Sequence, residues 1–433
     1  MGAERRHGWW PIPVAILLGV PAVVLRVGLG LHPDHARGSL VFGGGSLAPW
    51  AGSLVFGLAV LGAAFVVSWA AELLQFDVSP NLAVAVVALL AVLPEYSVDM
   101  YLAWTAATVP ENAPLALANM TGANRLLIGL GWPAVLLVAA VVRRERVIVL
   151  EESRWGEVFF LAAATVYSFV IPLKGTLTLW DTAVFLLLFG FYVRYLVRQE
   201  VVEPEIGGVV ERLAAWRPGR RRLATGLMFA WAGLVLAASA EPFAEGLKLA
   251  GDAAGISEFL MIQWLAPLAS ESPEFLVALI FAWRGFATAG LGTLVSSKVN
   301  QWTLLVGMVP LAYAGGMLAA GHGIGHIPLD SRQFGELVLT AAQSLLAVMI
   351  VLDRRFERQE ALLLAGLFLA QFVTGVWIEH ALPVADQATW FGWEKAIFSL
   401  LYVFLALGWL VRHRRDLGAM GRHVWREERR TRR

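Results

Sequence analysis

Two stretches place an acid directly after a proline inside a long apolar run. ALLAVLPEYSVDMYLA, residues 88–103, carries Pro94, Glu95 and Asp99. LASESPEFLVALIFAW, residues 268–283, carries Ser270, Glu271, Pro273 and Glu274. A lone ionised carboxylate at bilayer depth costs about 2.5–3.5 kcal/mol on insertion scales, so a chain retains one where it faces a partner or a wet cavity. Proline adds a second feature. Pro94 has no N–H for the carbonyl of Leu90, and Pro273 has none for the carbonyl of Ala269. Each site thus sets a freed backbone oxygen beside a carboxylate. Carbonyl and carboxylate oxygens at roughly 2.3–2.6 Å are what a hard cation such as calcium takes as ligands. A proline kink with a glutamate bonded to a neighbouring helix would explain one such stretch without any ion. Two stretches at matching places favour an ion site near the membrane midplane, with Glu95 and Glu274 as its metal ligands.

The elements that position these residues are membrane helices. Of 433 residues, 58% are hydrophobic and 15% charged, far less charge than a soluble chain of this length carries. Apolar runs long enough to cross a bilayer are expected near 11–30, 48–74, 82–107, 113–142, 156–172, 178–197, 223–250, 258–284, 287–319, 333–352, 360–380 and 390–411. With Arg5 and Arg6 placed in the cytoplasm, the arginine clusters at 143–154, 212–222, 354–358 and beyond 412 all fall on the same side. This is the positive-inside pattern, with both termini cytoplasmic in a multi-pass protein of the cell membrane. The start, MGAERRHGWWPIPVAILLGVPAVVLRVGLG, looks like a signal peptide, but Arg26 interrupts its core and no small-residue cleavage site follows clearly. It is expected to stay as a first helix. The absence of cysteine excludes disulfides, thiolate metal sites and cysteine catalysis. A net charge of +1 gives no nucleic-acid signal. The bilayer and inorganic cations are the expected partners, with no cofactor beyond the transported ion; the oligomeric state is not legible.

The polar stretch 198–222 splits the core into two five-span halves, 48–197 and 223–380. Residues 1–47 supply an extra helix and outside loop at one end, and 381–433 an extra helix and basic tail at the other. Five is odd, so the second half enters the membrane from the opposite face, the condition for an inverted repeat. LLAVLPEYSVDMYLAW matches LASESPEFLVALIFAW in its Pro-Glu, the aromatic residue that follows and the later Ala-Trp. ANMTGANRLLIGLG (118–131) matches GTLVSSKVNQWTLLVG (292–307) further on. The expected fold is all-α and polytopic: two inverted five-helix repeats, ten core helices, plus one helix at each end.

At these residues the chain resembles the cation/calcium antiporter superfamily, which includes sodium/calcium and proton/calcium exchangers. The family pattern has Gly-Thr-Ser-Leu-Pro-Glu on one helix and Gly-Asn-x-x-Gly-Ser-Asn on the next, repeated. Here the copies read LAVLPE with ANMTGAN, and ASESPE with GTLVSSK. The resemblance implies a secondary antiporter, not an enzyme, that exchanges a hard cation, calcium first, for sodium or protons by alternating access. It implies Glu95 and Glu274 as central cation ligands, Asn124 as a supporting ligand and Ser270 as the hydroxyl ligand of the second copy. The backbone reading adds the carbonyls of Leu90 and Ala269. The copies also depart from the pattern. Ala91 and Val92 replace both hydroxyls of the first copy, and Glu271 replaces one in the second. Asp99 lies one turn beyond Glu95, Arg125 follows Asn124, and Lys298 stands where the family has Asn or Asp. An ammonium is a tethered monovalent cation, so Lys298 could take the place of a bound sodium and make the exchanger proton-coupled or transport-inactive. Alternatively, Lys298 and Arg125 are struts that pair with Asp99 and Glu271.

Other features carry less. His322 and His326 in GHGIGH lack any HExxH pattern and read as an outside loop. Glu241, Glu245 and Lys248 read as interfacial charges. An integral membrane enzyme is the competing class, but no Gly-x-Ser-x-Gly, paired-histidine or aspartate-rich signature supports it.

Overall fold

The computed structural model describes residues 10–78, 93–198 and 209–430. In chain order, α1 Pro11–Val23 runs on as a π turn, Val24–Gly28, into an antiparallel ribbon of β1 His32–Asp34, β2 Ser39–Phe42 and β3 Gly45–Leu47. Then come α2 Pro49–Leu74, α3 Leu93–Thr105, α4 Asn112–Leu126, a π turn Leu127–Gly131 and α5 Trp132–Arg143. β4 Val147–Val149 leads to α6 Trp155–Ser168, α7 Val170–Lys174, β5 Thr176–Leu177 and α8 Leu179–Val197. The short α9 Val209–Ala214 precedes α10 Pro218–Ala254, α11 Glu258–Arg284, α12 Ala287–Asn300, a π turn Gln301–Leu305 and α13 Val306–Ala319. β6 Ile327–Pro328, α14 Ser331–Ile350, β7 Arg355–Glu357, α15 Arg358–Ala381 and α16 Val384–Arg430 follow.

Eleven helical stretches among the described residues are long and apolar enough to cross a membrane, and each overlaps an expected span. The twelfth expected span, 82–107, begins outside the described residues; α3 is its described part. The last helix loses helical geometry at His413 (φ −108°, ψ 22°), just past the expected end of its span.

Local chemistry explains the helix ends. Pro49 and Pro218 open α2 and α10 at positions where the missing N–H costs nothing. Asp330 caps α14 in a capping box: its Oδ1 accepts from the Gln333 N–H at 2.7 Å, and Gln333 Oε1 accepts from the Asp330 N–H at 3.1 Å. Gly255 ends α10 at φ +68°, a conformation that a Cβ disfavours.

The chain folds into two compact units. One gathers the residues up to Tyr101 with Leu196–Pro273; the other gathers Leu102–Tyr195 with the residues from Glu274 onward. The chain passes from one unit to the other inside α3 and inside α11. In the first unit, small residues let α1, α2 and α10 approach closely: a Cβ on Gly62 would lie 2.6 Å from the Ala15 carbonyl oxygen, and one on Gly19 2.6 Å from Val235. In the second unit, Gly316 of α13 lies against the backbone of Trp104, whose carbonyl oxygen is 2.1 Å from where a Cβ would sit. α14 forms the core of this unit, buried along most of its length. Two ribbons tie its connections together, Val147 opposite Glu357 and Thr176 opposite Pro328.

Candidate functional site

In the first unit, α3 carries Glu95 and Asp99 one turn apart, 2% and 0% exposed. Leu90, Ala91 and Val92 lie outside the described residues. α11 supplies Ser270 and Glu271, 5% and 0% exposed. This helix runs as one element from Glu258 to Arg284 through Pro267 and Pro273, over the span expected at 258–284. A proline removes one backbone bond, and nearby hydroxyls serve the backbone here. Ser270 Oγ donates to the carbonyls of Ala266 and Pro267 at 3.3 Å each, and Ser272 donates to Leu268. Ser270 thereby turns its hydroxyl proton away, leaving oxygen lone pairs as its ligand capacity.

Glu95 and Glu271 each offer a carboxylate oxygen within 4.8 Å of the other. Two buried carboxylates this close repel when both are ionised. Glu274 follows Glu271 by three residues on the same helix, which sets them on one face.

In the second unit, Ser297 of α12 donates a hydrogen bond to Glu274 Oε2. The next residue, Lys298, is fully buried. Its Nζ donates to Asn124 Oδ1 at 2.6 Å and to the Asn124 carbonyl at 3.3 Å, and lies 4.4 Å from the centre of the Trp302 ring. Asn124 Nδ2 donates to the Met120 carbonyl at 2.8 Å, which fixes the amide with its oxygen toward the ammonium. A π turn begins three residues after Asn124, at Leu127, and three residues after Lys298, at Gln301. The equal offset supports pairing ANMTGAN with GTLVSSK, and π turns recur at functional positions in helices.

The strut reading of Arg125 gains a partner the sequence reading did not name. Arg125 is 1% exposed and its Nη2 lies 2.6 Å from Glu336 Oε2, while Nη1 donates to Gln371 Oε1 at 3.3 Å. Glu336 Oε1 also faces Lys395 Nζ at 3.2 Å, and Lys395 donates to Glu394. A second buried acid was missed on α6: Glu157 Oε1 accepts from Arg154 at 2.7 Å and from Ser296 at 2.9 Å. Both sets had the same signal as Glu95, a charge inside an apolar span.

Glu245 and Lys248 are buried near the end of α10. Lys248 Nζ lies 3.1 Å from Glu245 Oε2, Tyr101 donates to Glu245 Oε1 at 3.1 Å, and His35 approaches at 3.3 Å. Arg26, which interrupts the first apolar run, pairs with Glu241. His322 and His326 sit exposed in the loop between α13 and β6, as expected, and are not among the described residues that group as metal ligands.

The sodium/calcium exchanger protein family matches residues 48–198 and 225–377. The crystal structure of an H+/Ca2+ exchanger, CAX, is 38% identical over 96% of this chain and 98% of its own, with a TM-score of 0.85. The sodium-calcium exchanger NCX_Mj, solved with sodium and strontium, is 20% identical over 75% of this chain and 98% of its own, with a TM-score of 0.48. No curated protein sequence matches the chain. The family match in two segments and the apolar helices make this an all-α, multi-pass membrane protein of two inverted repeats. The chain belongs to the sodium/calcium exchanger family, whose members are secondary transporters and not enzymes.

Proposed function

We propose that the chain exchanges calcium for protons by alternating access, at a midplane site where Glu95, Glu271 and Glu274 bind the cation. The observation that carries this reading is the buried Glu95–Glu271 pair, with oxygens within 4.8 Å. One calcium ion or two protons neutralise two carboxylates equally, so the same pair can alternate between the two cargoes. Ser270 and the carbonyls of Leu90 and Ala269 are neutral oxygen ligands, and Asp99 is a reserve acid one turn away. Protons are favoured over sodium as the coupling ion because Lys298 already holds the Asn124 oxygen that a sodium ion would use. The 38% identity to an H+/Ca2+ exchanger supports the same choice.

The repeats run 48–197 and 223–380, joined by a cytoplasmic linker at 198–222, with both termini on the cytoplasmic side of the cell membrane.

The second reading is a transport-inactive relative in which Lys298 and Arg125 replace bound cations. The Lys298–Asn124 bond favours it, since the pair is complete without any ion. Radiolabelled calcium uptake into proteoliposomes, under separately imposed pH and sodium gradients, distinguishes the two. Uptake that follows pH and disappears in Glu95→Gln and Glu274→Gln, with both variants still folded, is the expected result. Uptake at the parent rate in both variants would overturn the proposed site, and none under either gradient would select the inactive reading.

A further inference from the structure

We infer that Lys395, on the helix beyond the second family-matched segment, is a positioning residue for the Asn124–Lys298 pair. This rests on the proposed site and adds to it a control point outside the repeats. α4 carries Asn124 and Arg125 in succession, both fully enclosed within the second unit. Asn124 meets Lys298, and Arg125 meets Glu336 of α14 at 2.6 Å. The Arg125 carbonyl accepts from Gln343 of α14 at 3.4 Å, and its guanidinium reaches Gln371 of α15. Whatever fixes Glu336 therefore fixes residue 125, and with it the Asn124 oxygen one residue away.

Glu336 is shared. Its Oε2 faces Arg125 and its Oε1 faces Lys395 at 3.2 Å, 5% exposed on α16. Lys395 is in turn held by Glu394, and Arg332 adds a further positive charge beside both acids. The approach is built for this lysine: a Cβ on Gly335, next to Glu336, would lie 3.0 Å from Lys395 Cγ. Without the Lys395 charge, Glu336 is left to Arg125 and the nearby Arg332, and α4 shifts relative to Lys298. Misplacement by about 1 Å is enough to change a site's performance by as much as 10²-fold.

The test measures calcium dependence of uptake into proteoliposomes, driven by whichever gradient the unmodified chain uses. Lys395→Met is expected to raise half-saturating calcium about tenfold, equal to about 1.4 kcal/mol, with the maximal rate within about threefold. Lys395→Arg keeps the charge and stays within about twofold of the parent. In an Asn124→Ala background, Lys395→Met adds less than about twofold, because the lysine acts through Asn124; a plain strut would multiply independently. Independent effects, or an unchanged half-saturation in Lys395→Met, overturn the inference. If Lys395→Met does not fold, Gly335→Ala displaces the lysine with every charge kept, and a half-saturation unchanged there overturns the inference equally. Asn124→Ala with unaltered calcium dependence overturns this inference, whereas uptake at the parent rate in Glu95→Gln and Glu274→Gln overturns the site reading and this inference with it. Asn124→Ala weakened while Lys395→Met is silent overturns this inference alone.

Discussion

Replacing Lys298 with methionine tests the tethered-cation idea directly. The substitution keeps the unbranched stem and removes the ammonium. Nζ lies 2.6 Å from Asn124 Oδ1, a bond to a charged donor that contributes about 1.5–3 kcal/mol. It also lies 4.4 Å from the Trp302 ring centre, a contact of about 2 kcal/mol once desolvated. Together the variant loses about 3.5–5 kcal/mol and leaves the Asn124 oxygen open to another cation. A sodium ion at 100 times its dissociation constant returns about 2.7 kcal/mol. The assay is the half-life of the solubilised protein at a fixed temperature, followed by tryptophan fluorescence, in sodium chloride against choline chloride at equal ionic strength. Sodium is expected to lengthen the half-life of Lys298→Met by between about tenfold and a hundredfold over choline, with no such preference in the parent. Equal half-lives of Lys298→Met in the two salts would refute the reasoning.

Two further outcomes follow from the packing and the loops. Gly316→Ala drives a methyl to 2.1 Å from the Trp104 carbonyl oxygen, backbone that cannot step aside, so it costs about 1–3 kcal/mol or more; recovery of monodisperse protein after heating reads it, and parent-like recovery would contradict the close approach. Asp77, just past α2, is held at about 2 by the hydrogen bond from Arg221, against burial, with Arg222 assisting. Its folded value is depressed, so the stabilisation is present above the unfolded value near 4 and is lost as pH falls from about 4 toward 2. Proteolysis at the α2 terminus should rise over that window in the parent and show no such step in Asp77→Asn.

The spans were legible because a bilayer demands long apolar runs, and the residue types that end helices stand where the helices end: Pro49, Pro218, Asp330 and Gly255. Glu95 and Glu271 were legible because a charge inside such a run is costly. The same argument applied to Glu157, Glu336, Glu394 and Lys395 would have found the second set, but these fall near expected span ends, where a charge reads as interfacial. The approach of His35 to Glu245 was not legible, because it comes from the ribbon β1–β3, distant in sequence. The partner of Arg125 was not legible at all. Residues 125 and 336 are far apart in sequence, and no motif names Glu336. The π turns leave no compositional trace, because they change one hydrogen-bond register and not the residue pattern.

A helix turns about 100° per residue, so consecutive polar residues commit to different sides. α12 uses this as α4 does. Ser296 donates to Glu157, which Arg154 also holds at 2.7 Å, whereas Ser297 donates to Glu274. One serine thus serves a fixed ion pair and the next serves an acid of the proposed site. The two alanine variants should part accordingly. Ser296→Ala removes one of the two donors to a carboxylate that keeps its guanidinium, a loss of about 1 kcal/mol that shortens thermal half-life and leaves half-saturating calcium unchanged. Ser297→Ala removes a hydroxyl from Glu274 and is expected to move half-saturating calcium by about threefold to tenfold. Calcium uptake curves and half-lives measured on the same preparations decide it. If both variants shift calcium dependence alike, or neither does, then α12 does not separate frame from site, and Glu274 is one more structural acid.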